Sequence, residues 1–183
     1  KNYEKYDGFI VLHGTDTLAY TASALSFMLE NLNKPVILTG SQLPLSEVRN
    51  DARATLIVAL LIASHYQIPE VCVYFNNQLL RGNRARKIST HSFAAFESPN
   101  CLPIATIGID VVANQTLWRK PTKKALALQT IKPADIACVR LFPGMPITLL
   151  ENLLRAPLQA LVLETYGSGN APDNHPEFLT LLK

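Results

Sequence analysis

The sequence predicts an α/β protein: a parallel sheet with flanking helices, followed by part of a smaller second α/β domain. Three observations carry this. Apolar runs of four to six residues alternate with segments of helical period. Each early run ends in a polar, glycine-containing loop, the usual junction of strand and helix in such sheets. Hydrophobic residues make up 48% and charged residues 17%, enough apolar material to bury a core and too little charge for disorder.

In chain order, Phe9, Ile10, Val11 and Leu12 come first, a strand-like run ending in His13-Gly14. Residues 15–32 read as a helix, because Leu18, Ala22, Leu25, Leu29 and Leu32 recur on one face of a 3.6-residue period. Thr15 or Asp16 is placed to cap its start, and Lys34-Pro35 closes it. Residues 36–39 are a second strand, and Gly40 opens a loop. Residues 51–64 are a helix that is apolar nearly all round, which predicts that it is well buried. Residues 71–75, rich in β-branched and aromatic types, are a third strand. Together these form a Rossmann-like layer.

After Phe75 the rhythm breaks. Residues 76–100 are polar, basic and irregular, and 104–112 read as one extended strand. The predicted organisation is a large N-terminal domain over 1–113, a linker over 114–133 holding Arg119, Lys120, Pro121, Lys123 and Lys124, and the beginning of a C-terminal domain over 134–183. Within the last, 136–141 is a strand, 147–155 a helix, 158–163 a strand, and a helix begins at Asn174-His175. A single βαβ unit can hardly bury its own core. The expectation is therefore a chain incomplete at both ends.

The net charge of +3 does not by itself imply a polyanionic partner. No apolar run reaches the roughly 20 residues of a membrane span. Cys72, Cys101 and Cys138 are odd in number and widely spaced, which suggests neither a zinc site nor a disulfide framework and fits a reducing cytoplasm. There is no G-x-G-x-x-G after the early strands, no Walker A loop and no G-x-S-x-G elbow, so neither a nicotinamide cofactor nor serine-hydrolase chemistry is indicated. His65, His91 and His175 show no metal-ligand spacing, and Tyr166-Gly167-Ser168-Gly169-Asn170 follows a strand, where glycine permits close backbone approach.

Ligands of open α/β sheets bind beyond the carboxyl ends of the strands, and three polar clusters fall there. In His13-Gly14-Thr15-Asp16-Thr17, a hydroxyl and a carboxylate at a helix N-terminus suit an amino acid, or simply cap the helix. Gly40-Ser41-Gln42-Leu43-Pro44, running on to Asn50-Asp51, either closes over a ligand or is a loop ending in an N-cap aspartate. Arg81-Gly82-Asn83-Arg84-Ala85-Arg86-Lys87 is a solvated loop, a nucleic-acid patch, or the source of a buried lysine paired with a carboxylate. Aromatic platforms for stacking bases are missing nearby, which weighs against nucleic acid.

In this order the clusters resemble the L-asparaginases, the bacterial type I enzymes most closely. The residues that carry the resemblance are Ile10 to Thr17, Pro35 to Gln42, Phe75 to Gln78, Arg81 to Lys87, Phe93 to Asn100 and Tyr166 to Pro172. The resemblance implies hydrolysis of L-asparagine to L-aspartate and ammonia by a threonine-dependent amidohydrolase without metal or cofactor. It implies a cytoplasmic homodimer or homotetramer that engages neither nucleic acid nor membrane. It makes Thr15 the second catalytic threonine, whose N–H faces the developing oxyanion. Asp16 becomes the holder of the substrate's α-amino group, Lys87 the third member of a Thr-Lys-Asp proton-transfer set, and Ser41, through its carbonyl, an acceptor for the scissile amide nitrogen. The Gly-Gly-Thr-Ile turn that carries the family's first nucleophilic threonine is not in this sequence, so the chain alone is expected to be inactive. A catalytically silent asparagine- or aspartate-binding protein and a glutaminase or tRNA amidotransferase subunit share the same motifs.

Overall fold

A computed structural model describes residues 2–172 and 176–182; Asn174 and His175, where the last helix was expected to begin, lie outside the described residues. The chain divides into two compact units, 1–130 and 131–183. In the first, six strands make one sheet in the order β1 (Phe9–Leu12), β3 (Val36–Thr39), β4 (Val71–Phe75), β5 (Gln78–Arg81), β8 (Ala105–Ile107), β9 (Val111–Ala113). The first three pair in parallel, as the βα rhythm predicts. The remaining pairings are antiparallel, so the sheet is mixed rather than wholly parallel.

Side chains alternate across this sheet because strand residues point to opposite faces. Phe9, Val11, Val36, Leu38, Val71, Val73 and Phe75 pack on one face with Leu18, Ala22 and Leu25 of α1 (Leu18–Met28). Ile10, Ile37, Cys72 and Tyr74 pack on the other with Val58, Ala59, Ile62 and Ala63 of α2 (Ala52–His65). β4 is buried at every position, as the central strand of a covered sheet must be.

Several boundaries differ from the expectation for physical reasons. The helix expected over 15–32 is shorter. Thr15 and Asp16 sit in a turn before it, and at its end Leu29–Glu30 becomes a short strand, β2, while Asn31 takes a left-handed conformation at φ 62°. α2 is not buried all round: Ile57, Leu60 and Leu61 are about half exposed on the side away from the sheet. The span 104–112 is a hairpin, with the Gly108 N–H donating to the Asp110 carbonyl at its turn (2.9 Å).

The irregular region after Phe75 also contains a strand. β4 and β5 pair with Phe75 opposite Gln78, leaving Asn76-Asn77 as a two-residue turn. Both asparagines have positive φ, 44° and 59°, the conformation a type I′ hairpin turn demands. Two further short strands come next, β6 (Arg86–Lys87) and β7 (Phe96–Glu97), paired with each other.

Most of the segment expected as a linker packs on the first unit. β10 (Ala127–Leu128) pairs with β2. The Asn33 side chain bonds both the N–H and the carbonyl of Thr122 (2.8 and 2.7 Å), standing in for a strand neighbour. The Arg119 N–H donates to Glu70 (2.9 Å). Glu70 itself is buried at 4% exposure and accepts two bonds from Arg81, at 2.6 and 3.2 Å. In the second unit β11 (Ile136–Arg140) and β12 (Ala160–Glu164) pair in parallel across α3 (Ile147–Leu153). Val139, Leu141, Leu150 and Phe178 of α4 (Pro176–Leu181) form its core.

Removing the Glu70 carboxylate would strand Arg81 and the Arg119 N–H. Glu70→Ala should therefore lower the unfolding free energy by about 3 kcal/mol, the lower end for breaking a buried pair because Arg81 is partly solvated. A urea melt showing less than about 1 kcal/mol would assign the pair no structural role.

Candidate active site

The site is assembled at the carboxyl end of β1. The chain leaves Leu12 through His13-Gly14 and turns at Thr15-Asp16-Thr17 into α1. Neither expected cap side chain caps. Thr17 occupies the N-cap without a side-chain bond, and Thr15 and Asp16 are directed elsewhere. Lys87 Nζ donates to Thr15 Oγ1 at 2.8 Å and to Asp16 Oδ1 at 2.6 Å. The Lys87 side chain is 16% exposed and that of Asp16 89%. The ammonium is thus sheltered while the carboxylate faces solvent.

Lys87 and Thr15, 72 positions apart, meet because of the β4–β5 hairpin and the strip of chain after β5. β5 runs back from Phe75 towards the amino ends of the strands, and Gly82 packs there against Ser26 near the end of α1. From Gly82 the chain climbs beside α1. Ala85 packs on the cluster that holds Leu18 and Ala22, and Lys87 arrives at the helix start. Gly82–Arg84 forms a short 3-10 turn, and Ala85 to Lys87 run on extended to the start of the helix. Gly82 must be glycine, because a Cβ would come within 2.8 Å of Ser26 Oγ and of the Val71 carbonyl.

A second contact fixes Lys87 from behind. Its partner across the β6–β7 pair is Phe96, buried at 4% exposure against Phe75, with ring centroids 4.9 Å apart. Such a pair adds about 1 kcal/mol to its area burial.

The expected Ser41 lies in the loop after β3, beside the turn that carries Thr15. Its neighbour Gly40 is pressed on the His13 carbonyl so closely that a Cβ would collide with it. On the other side, the Gln42 amide donates to the Ser92 carbonyl in the loop after Lys87 (3.0 Å). Gln42 and Leu43 also donate their backbone N–H groups to the carboxylate of Asp51, at 2.9 and 3.0 Å.

Sequence reasoning assigned His13 no role. Its Nδ1 donates to the Gly14 carbonyl (2.8 Å), which leaves Nε2 to accept the Thr21 hydroxyl (2.9 Å) in the neutral ring. The imidazole thus pins the turn that carries Thr15 to the second turn of α1. The only sequence signal was a histidine next to the Gly-Thr-Asp-Thr run.

Among the described residues no three His, Cys, Asp or Glu side chains form a group able to hold a metal ion. There are cavities of about 440 and 450 Å³. One is apolar and within the second unit; the other is beside Glu70 and Arg81 at the opposite end of the first sheet. Chemically, the trio places a hydroxyl, an amine and a carboxylate in one hydrogen-bonded row, an arrangement able to pass a proton.

The family model described as "Asparaginase, N-terminal" matches residues 1–119. The chain is 51% identical over 184 residues to the human 60 kDa lysophospholipase, covering all of this chain and 32% of that protein. It is 50% identical over 173 residues to L-asparaginase 1 of Escherichia coli K12, covering 94% of this chain and 51% of that protein. The crystal structure of L-asparaginase I from Vibrio cholerae superposes with a TM-score of 0.92 at 48% identity, over 99% of this chain and 55% of that one. The chain thus spans from about a third to about half the length of the relatives it matches.

Lys87, by hydrogen bond first and by charge second, holds the Asp16 carboxyl below its ordinary value. The resulting stabilisation is complete above the unfolded carboxylate value and is lost as pH falls through the lower folded value. In a carbon-detected NMR titration Asp16 should titrate below the ordinary carboxylate range and return to it in Lys87→Met. An Asp16 unmoved by that substitution would place the cause outside the pair.

Proposed function

Because the chain belongs to the asparaginase family, we propose that the protein it represents hydrolyses the side-chain amide of L-asparagine to L-aspartate and ammonia. One observation carries the reading: Lys87 Nζ bridges Thr15 Oγ1 and Asp16 Oδ1 at 2.8 and 2.6 Å. A zwitterionic amino-acid amide calls for an anion to hold its ammonium, a donor for the tetrahedral oxyanion and a route for a proton to the leaving nitrogen. In this reading the exposed Asp16 carboxylate receives the α-ammonium and the Thr15 backbone N–H faces the oxyanion. Lys87 gives a proton towards the departing nitrogen through the Thr15 hydroxyl, which passes on its own. The family's nucleophilic threonine, which is not among these residues, would form the C–O bond to the amide carbon and give its hydroxyl proton to replace the one Lys87 passes on. The C–N bond then breaks, ammonia leaves, and water hydrolyses the acyl ester to release the acid and restore the threonine. The Ser41 carbonyl accepts an N–H of the scissile amide. One oxyanion donor is typically worth about 3 kcal/mol of barrier.

A cytoplasmic location belongs to the same reading and is supported by three free cysteines, one of them buried. Among the described residues no helix is long and apolar enough to cross a membrane. Assembly as a homodimer or homotetramer rests on the resemblance.

The full-length protein should release ammonia from L-asparagine, and Lys87→Met should lower kcat by at least about 100-fold, the lower scale of acid–base catalysis. Asparagine binding by calorimetry without ammonia release would replace the enzyme with a silent binding protein. An unchanged kcat in Lys87→Met would remove Lys87 from the mechanism.

A further inference from the structure

Asp51 stands at the N-cap of α2, where an aspartate ordinarily bonds the first free N–H groups of its helix. It does not do so here, as its side chain makes no cap bond. The Asn50 amide oxygen accepts from the Arg53 N–H instead, at 3.3 Å. The Asp51 carboxylate is turned back into the preceding loop. Its Oδ2 accepts the Gln42 N–H at 2.9 Å, and its Oδ1 accepts the N–H groups of Leu43 at 3.0 Å and Gln42 at 3.2 Å. Two successive backbone donors on one carboxylate fix the orientation of the peptide that enters them.

That peptide joins Ser41 to Gln42. It is trans, since Ala156-Pro157 is the one cis bond among the described residues. In a planar trans peptide the carbonyl points opposite to the N–H. Holding the Gln42 N–H on Asp51 therefore turns the Ser41 carbonyl away from the start of α2. α2 covers one face of the sheet and α1 the other. The direction away from α2 leads towards the face on which Thr15, Asp16 and Lys87 meet. The flanking contacts hold Ser41 between the same two loops: Gly40 against His13, and the Gln42 side chain on Ser92.

We propose that Asp51 is a positioning residue that aims the Ser41 carbonyl at the N–H of the scissile carboxamide, and so selects amides over esters. This rests on the asparaginase reading above. Asp51 touches no reacting atom; it acts through the peptide it orients.

The test compares L-asparagine with L-aspartate β-methyl ester, whose leaving group has no N–H to donate, using the full-length protein and its Asp51→Ala and Asp51→Asn variants. The ratio of kcat/KM for amide to that for ester should fall about tenfold in Asp51→Ala, the scale of a lost charged hydrogen bond. It should fall less in Asp51→Asn, which keeps one acceptor. A purely structural role would lower both rates together, so a ratio unchanged in both variants overturns the proposal. Amide hydrogen exchange at Gln42 and Leu43 reads the same clamp without turnover and should quicken about tenfold in Asp51→Ala. If the unmodified protein cleaves neither substrate, the asparaginase reading fails on its own. Exchange then decides the clamp, and unchanged protection overturns it.

Discussion

The reversal at Asn76-Asn77 is the constraint on which the rest of the site depends. Up to Phe75 the chain is an ordinary repeating βα layer, and a further helix after β4 would continue it. Two successive residues at positive φ send the chain straight back as β5 instead. Asparagine tolerates that conformation where bulkier residues do not. The return delivers Gly82 to the far end of α1 and so lets the next five residues bring Lys87 up to Thr15 and Asp16. A covered parallel sheet supplies the platform; a local steric preference decides which lysine reaches it.

Charge is handled differently at the two ends of this sheet. At the amino end Glu70 is buried, with Arg81 and a backbone N–H filling its lone pairs, and it ties β4, β5 and the segment at Arg119 together. At the carboxyl end Asp16 is left almost fully in solvent with a single lysine. A buried, fully bonded carboxylate serves rigidity. An exposed one with unfilled lone pairs retains capacity to accept from something that arrives. The same residue class is closed off at one end and open to an incoming donor at the other because of its surroundings.

Much of this could be read from the residues. The run from His13 to Thr17 marked the site turn, and apolar runs located β1, β3 and β4 within a residue. Three things were not legible, for separate reasons. Taken without the resemblance, which supplied the Thr15–Asp16–Lys87 set, the preference of Thr and Asp for caps masked their pairing with Lys87, because a residue suited to both roles gives one signal. Asp51 had the same ambiguity, resolved only by the direction of its side chain. The composition of α2 gave its apolarity, but not that Ile57, Leu60 and Leu61 would face outward, because a helix apolar all round has no polar stripe to mark its outer side. The Asn76-Asn77 turn was different. Its two-residue spacing between apolar runs was a hairpin signal, outweighed by the basic stretch beyond it.

The course of the strip from Gly82 to Lys87 beside α1 bears on how this protein can vary over evolutionary time. Adding one residue to its extended part, Ala85 to Lys87, would displace the ammonium by about 3.3 Å and reverse the side on which it projects. Adding one to the helix would swing its start about 100° around its axis. Neither change can be compensated nearby, since Gly82 is wedged between Ser26 and Val71 and Phe96 is seated on Phe75. Insertions and deletions are therefore excluded from these two stretches. The turn from Ser89 to Ala94, which connects β6 to β7, is constrained in another way, because its Ser92 carbonyl holds the Gln42 amide and a change of length there would loosen the loop that carries Ser41.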